Sequence, residues 1–339
     1  MLPEYVKFYY DKLSDIKKDV YMQMYKGFRK HNKRIDIKTD PSVISPDDLM
    51  YIFECLYNDT PSFYFVDVSK SKWIVLPDGY IFIKDFIYTE EKIKEYDKAI
   101  LDGLIAFKNR YIREDMTDYE KERIIHNYLV NTITYDHRSI STEEERIKHG
   151  EIFNILGALL RKKAVCWGIA CAFKLICDYL RIKCFVVIGN SLPVQEGGAR
   201  HAWNIVRIDK ENYHVDATWD LKRKGSITTS YDYFNLNDNL IRLNHTWSDE
   251  IYPPCNSLKY NYFRRNKLYV KTLEQIPDYI VKTISSGKKY IIFKFVNKMP
   301  DREKITEKII AGVSQTGYHK KYKWIINMDT HNVYIELKD

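Results

Sequence analysis

The sequence has no apolar run approaching the roughly 18–20 residues that span a bilayer. Its start, Met1-Leu2-Pro3-Glu4-Tyr5, has neither the basic nor the apolar region of a secretory leader. It has no internal repeat and no low-complexity tract. Cysteine is scarce: six residues in 339, Cys55, Cys166, Cys171, Cys177, Cys184 and Cys255. They are too few and too clustered for a disulfide scaffold, and none form the close pairs of a zinc knuckle. A cytoplasmic protein with reduced thiols is the expectation, with no membrane span.

One-signed charge is also lacking. The 54 basic residues are interleaved with 46 acidic ones, leaving +8. Short basic clusters (Arg161-Lys162-Lys163, Lys222-Arg223-Lys224, Arg264-Arg265) read as solvated surface. They neither gather nor alternate with aromatics in one segment, so no nucleic acid is expected as a partner. The 28 tyrosines are dispersed and suit core edges.

What is present is the length and hydrophobic content of a soluble protein with two or three domains. Residues 1–112 read as an N-terminal helix and β-meander domain. Ser14 precedes a helix with Ile16, Val20, Met24 and Phe28 on one face, and Ser45-Pro46 opens another. Three β-rich runs follow (Phe63–Val66, Trp73–Leu76, Tyr80–Ile83), then a long helix from Thr89. Residues 113–268 read as a core. Thr117 and Glu120 form a capping box, Ser139 to Glu145 is an exposed loop, and Ile152 to Leu160 is a helix. A helix begins at Cys166, and strands run over Cys184–Ile188, His201–Ile208 and Tyr213–Trp219. Residues 269–339 form a small α+β module of helix, strand, helix and hairpin.

Three residues of the core carry chemistry. Cys166 opens a helix, His201 opens a strand, and Asp216 lies on the next strand. A hairpin turn near Asp209-Lys210 or Lys210-Glu211 puts His201 opposite Thr218 or Asp220, with Asp216 of the same pleat parity. His201 and Asp216 then share a face, at a diagonal of roughly 7–8 Å between backbones in the first case, unless a bulge intervenes. A thiol at a helix N-terminus beside an imidazolium is favoured as thiolate, and the same N–H groups suit an oxyanion. Taken singly, a helix-opening Cys is ordinarily small and buried, a strand His is ordinarily structural, and Asp216 could anchor a turn. A metal site of Cys166, His201, Asp216 and His214 lacks close His or Cys pairs, so no metal and no cofactor are expected. The remaining cysteines read as core. His31, His126, His137, His149, His245, His319 and His331 belong to no constellation.

Together the segments Val165-Cys166-Trp167-Gly168, His201-Ala202-Trp203-Asn204 and Val215-Asp216-Ala217-Thr218-Trp219-Asp220 resemble the transglutaminase-like superfamily, papain-related cysteine enzymes. Flanking pieces, Ile133-Thr134-Tyr135-Asp136 and Tyr231-Asp232-Tyr233-Phe234-Asn235, look like its bacterial members. The likeness covers roughly Thr117 to Tyr262. It implies an α+β, papain-like fold, with the nucleophile helix packed on an antiparallel sheet. It implies a triad of Cys166 (nucleophile), His201 (base and acid) and Asp216 (orienter), with Tyr135 positioning substrate or oxyanion. The implied reaction is acyl transfer or amide hydrolysis on a protein or peptide through a thioester. Crosslinking, deamidation and proteolysis all fall within it. Ile169 stands where many bacterial members carry Tyr, which alters the groove and not the triad. The alternative is a weakly active or inactive member serving as a binding or scaffold module.

Overall fold

The computed structural model describes residues 2–138, 142, 145, 149–192, 199–222, 227–296, 299–328 and 330–338, with the backbone alone at 68–71. The loop expected from Ser139 to Glu145 and the cluster Lys222-Arg223-Lys224 lie largely outside the described residues.

The chain opens with α1 (Phe8–Lys12), α2 (Asp15–Arg29), β1 (Arg34–Lys38) and α3 (Pro46–Asp59). α2 buries Val20, Met24 and Phe28 as its spacing predicts, and Tyr21 besides, although Ile16 at its start is exposed. α3 starts with a reciprocal capping box between Ser45 and Asp48. β2 (Val66–Leu76) and β3 (Gly79–Phe86) follow, then α4 (Glu90–Tyr111), capped by Thr89. The sheet order is β1-β3-β2, which differs from a meander of three consecutive runs. Pro61–Phe63 is a 3-10 turn, and Ser69-Lys70-Ser71 is absorbed into β2 at an irregularity in its pairing with β3. The missed strand, β1, buries only Ile35 and Ile37 between charged neighbours, too short an alternation to stand out.

The central elements position the site. α5 (Asp118–Thr132) begins at the expected capping box of Thr117 and Glu120. It leads into β4 (Thr134–Tyr135), which pairs in parallel with β5 (Lys163–Ala164). The single helix expected from Ile152 to Leu160 is broken into a 3-10 turn (Gly150–Phe153) and a π-type turn (Gly157–Arg161). Asn154 breaks it: its backbone is extended, and its side-chain oxygen accepts from Leu156 N–H at 2.9 Å in competition with helix.

α6 (Cys166–Tyr179) then packs on an antiparallel five-stranded sheet. Its strands are β6 (Lys183–Ser191), β7 (Ala199–Ile208), β8 (Glu211–Val215), β9 (Phe234–Leu236) and β10 (His245–Thr246), in the order β10-β6-β7-β8-β9. The Asn204 amide ties β7 to the helix by donating to Ala170 C=O at 3.0 Å. α6 also grips the N-terminal segment: buried Lys174 pairs with Asp178 at 2.7 Å and donates to Val6 C=O at 3.0 Å. On the sheet, Phe8 stacks on Phe185 with ring centres 3.9 Å apart.

After the short helices α7 (Asp238–Ile241) and α8 (Tyr262–Arg265) comes the α+β segment: β11 (Tyr269–Val270), α9 (Gln275–Ser285), β12 (Tyr290–Phe295), α10 (Arg302–Gln315), β13 (Tyr322–Asn327) and β14 (Asn332–Leu337). Its sheet order is β11-β12-β14-β13. One hydrophobic core runs through residues Leu2 to Phe263 and takes in Tyr334; a second lies within Val270 to Leu337. Among the described residues no helix is long and apolar enough to cross a membrane.

Candidate active site

The β7–β8 hairpin pairs Ile208 with Glu211 and Asn204 with Val215. Its two turn residues, Asp209 and Lys210, have φ of 48° and 70°, as a type I′ turn requires. This is the first of the two registers that parity allows, with His201 in line with Thr218. The ladder ends at Val215, short of the expected Trp219. Asp216 ends it by curling the chain: its Oδ1 accepts from the N–H groups of Thr218 at 2.9 Å and Trp219 at 3.2 Å.

The other oxygen, Oδ2, accepts from His201 Nε2 at 2.7 Å. Asp216 is fully buried and His201 nearly so, at 6% exposure. Burial disfavours the charged form of each, and their mutual attraction overcomes it. His201 is lifted to about 10, with Asp216 the main opposing cause and the Cys166 thiol adding to it. The Asp216 carboxyl is held well below its ordinary range by His201 and by hydrogen bonds from His201 and His245. With Nε2 committed to Asp216, Nδ1 is the ring nitrogen left for the thiol.

Cys166 is the first residue of α6 and is half-buried, whereas the other five cysteines are buried. Its backbone is pinned by its neighbours: Val165 N–H donates to Ile152 C=O at 3.0 Å, and Asp136 N–H to Ala164 C=O at 3.1 Å. Val165 makes no side-chain cap, so no side chain occupies the first-turn N–H groups in that role. Gly168 is required by close approach: a Cβ there would lie 2.6 Å from Ile152 O and 2.9 Å from Asn154 O. Tyr135 pairs with Ala164 in the β4–β5 register. Burial, then the neighbouring Cys166 and Asp216, push its hydroxyl up to about 12, so it stays a proton donor beside the site.

Aromatic rings wall the imidazole. Trp203 stacks at 5.9 Å from His201, and half-buried Trp219 is tilted at 6.1 Å. Gly189, opposite His201 in the β6–β7 ladder, leaves room for the Trp203 ring, which a Cβ there would meet at 2.7 Å.

One residue set aside in the sequence belongs here. His245, fully buried on β10, places Nε2 3.0 Å from Asp216 Oδ2. Its surroundings, Asn244-His245-Thr246-Trp247, carry no periodicity and no motif, and a two-residue strand advertises nothing. His201, Asp216 and His245 bring ligand-type atoms within 4.8 Å of one another. All three are already joined by hydrogen bonds through one carboxylate oxygen, so we read them as a hydrogen-bonded cluster. A second group, His214, Asp238 and Cys255, is equally close. There His214 Nδ1 accepts from Trp203 Nε1–H at 3.0 Å while Nε2 faces Asp238 at 2.8 Å. Binding a metal through Nε2 would leave that imidazole without its proton, which a neutral ligand retains.

Tyr135, Cys166, His201 and Asp216 fall within a recognised family segment, whereas His245 lies outside it. Residues 105–217 match the Transglutaminase-like superfamily. The matched stretch starts earlier than the motifs suggest and ends one residue past Asp216. No curated protein matches the chain significantly. Among solved structures, it is similar to a TGase at 16% identity and a TM-score of 0.32, covering 59% of this chain and 55% of that one. It is similar to a candidate cysteine protease from Cytophaga hutchinsonii at 12% identity and a TM-score of 0.26, covering 48% of this chain and 65% of that one. It is also similar to menin, whose structure reveals a binding site for the Mixed Lineage Leukemia protein, at 13% identity, a TM-score of 0.27 and coverage of 93% and 63%. The chain spans between about half and two-thirds of the length of these three.

Proposed function

We propose that this chain is a cysteine-dependent enzyme that performs acyl transfer or amide hydrolysis on a protein or peptide through a thioester. Cys166 is the nucleophile, His201 the base and acid, and Asp216 the orienter. The observation that carries this reading is the 2.7 Å contact between His201 Nε2 and Asp216, which turns the other ring nitrogen toward a half-buried thiol at a helix N-terminus.

In the first half-reaction the Cys166 sulfur attacks the amide carbonyl carbon, forming the C–S bond as the C=O π pair moves onto oxygen. First-turn N–H groups of α6 are suited to receive that oxyanion, and the protonated Tyr135 hydroxyl is a further donor nearby. The C–N bond breaks as His201 hands its proton to the departing amine, leaving the thioester. In the second half-reaction an amine or water attacks the thioester carbonyl. His201 takes the attacking group's proton and Cys166 leaves as thiolate. Asp216 holds the imidazole in one tautomer and stabilises its charged form throughout. On this reading residues 113–268 are the catalytic unit, and residues 1–112 and 269–339 flank it.

The test compares Cys166→Ala with the wild type in amine-incorporation, deamidation and peptide-cleavage assays. Loss of every activity the wild type shows is expected. Activity that survives the substitution overturns the assignment.

A further inference from the structure

The carboxylate of Asp216 is one corner of a closed ring of hydrogen bonds. Its backbone N–H donates to the Tyr233 carbonyl at 3.0 Å. The Tyr233 hydroxyl accepts from the Asn244 amide at 2.6 Å. Asn244 Oδ1 faces His245 Nδ1 at 2.8 Å, and His245 Nε2 returns to Asp216 Oδ2 at 3.0 Å. Tyr233 enters the ring twice, through its main chain and through its side chain. Asp216 and His245 are both fully buried, so water does not substitute for any lost corner at little cost.

The ring removes a specific freedom. Rotation of a carboxylate about its terminal bond is soft and roughly two-fold, so a single imidazole on one oxygen fixes it poorly. Here two amide N–H groups hold Oδ1, and a second imidazole holds Oδ2 at the point where His201 binds.

The ring is in turn braced from the C-terminal segment. Asp232, next to Tyr233, is buried and accepts from Asn327 Nδ2 at 2.9 Å and Thr330 Oγ1 at 2.8 Å, and also closely from Asn332 and Tyr334. All four donors lie on the β13–β14 hairpin. Tyr334 packs into the first hydrophobic core.

We propose that His245 is a positioning residue for Asp216, and that the β13–β14 hairpin braces it through Asp232 and Tyr233. The proposal rests on the reading of Cys166, His201 and Asp216 as a triad. It gives the C-terminal segment a function in the site without any contact with substrate. The titratable groups around His245 are Asp216, His201 with ring centres 5.3 Å apart, Tyr233 at 5.7 Å, and His214, kept below its ordinary value by burial and by His245 among other neighbours.

The experiment measures the rate at which iodoacetamide alkylates Cys166 in the full chain, from about pH 5 to about pH 9. A thiolate beside an imidazolium persists at low pH, and the imidazolium depends on a well-placed Asp216. His245→Phe is expected to slow alkylation about tenfold at about pH 6, the equivalent of one hydrogen bond to a charged group, and to move the profile to higher pH. His245→Gln, which keeps an amide donor near the Nε2 position, is expected to stay within about threefold of the wild type. Tyr334→Phe, on the bracing hairpin, is expected to slow the reaction about twofold to threefold in the same direction. A structural role alone would leave the profile unmoved, or would slow the Phe and Gln variants alike; either result overturns the proposal. Should His245→Phe not fold, Asn244→Ala, at a half-buried position, replaces it, and an unchanged profile there counts the same way. A wild-type Cys166 that reacts like a free thiol and ignores His201→Asn overturns the triad reading, and this proposal with it. A Cys166 that is fast and His201-dependent but indifferent to His245 overturns this proposal alone.

Discussion

His201 and His245 share one oxygen atom: their Nε2 atoms lie 2.7 and 3.0 Å from Asp216 Oδ2. They reach it from different strands, His201 from the central strand β7 and His245 from the edge strand β10. The carboxylate is therefore saturated, with both imidazoles on Oδ2 and two backbone N–H groups on Oδ1. This saturation lets a charged group stand fully buried without being neutralised.

Removing the charge while keeping the shape isolates the role of that carboxylate. Asp216→Asn is expected to lower turnover by about 10³-fold or more, because an amide neither stabilises the imidazolium nor enforces its tautomer. Steady-state rates on whichever amide substrate the wild type turns over measure this. A loss under tenfold would sink the orienter role.

Thiol labelling separates one cysteine from five. Burial pushes Cys55 and Cys171 up to about 12 and raises Cys177 and Cys255 as well. Cys184 is buried. Limiting iodoacetamide on the native protein is expected to place its first equivalent on Cys166, read by peptide mass spectrometry. Equal labelling across the cysteines would contradict this.

The His201–Asp216 pair predicts a pH window for stability. His201 rises from 6.5 to about 10 on folding, so its contribution is full below about pH 6.5 and is lost as pH climbs toward 10. Asp216 is depressed from 3.8, so its contribution is present above about pH 4 and is lost as acid is added below that. The pair therefore stabilises most between about pH 4 and about pH 6.5. Urea midpoints of wild type minus Asp216→Asn should trace that window. A difference flat with pH would refute the coupling.

Gly168→Ala tests the packing under the thiol. The new methyl group meets two backbone carbonyls, which cannot swing aside as a flexible side chain does. A loss of about 1–3 kcal/mol is expected, together with slower Cys166 alkylation as the start of α6 shifts. Denaturation and labelling on the same sample would show whether the two effects travel together.

Glu122 offers a stabilising change. Burial pushes it from 4.5 up to about 8, with the Asn235 amide, at 2.9 Å from Oε2, partly offsetting the effect. The folded state binds this proton more tightly than the unfolded chain, so stability falls as pH rises from about 4.5 to about 8. Glu122→Gln is expected to raise stability at pH 7 by about 3 kcal/mol at most. It should also flatten the pH dependence in that range, measured by thermal unfolding. Unchanged stability at pH 7 would refute the shift.

Much of the architecture was legible because it is local. The capping box at Thr117 and Glu120, the Ser45-Pro46 start and the helix from Cys166 each lie within a few residues of their signal. The hairpin parity of His201 and Asp216 needs only the turn at Asp209-Lys210 and a period of two. Errors fell where a side chain competed with the backbone. Asn154 breaks the segment from Ile152 to Leu160, and Asp216 curls the strand before Trp219. β1 escaped because its two apolar residues make too little pattern.

By itself the sequence determined the chemistry on offer: a thiol opening a helix, an imidazole and a carboxylate on one hairpin face, and the family motifs around them. The tertiary structure alone decided what holds the carboxylate. His245 is 29 residues from Asp216, and the hairpin donors on Asp232 lie 95 to 102 residues away. Contacts at such separations are set by how loops return and sheets order their strands. Neither leaves a periodicity in the chain, so a histidine that belongs to no motif proves to share the atom on which the site turns.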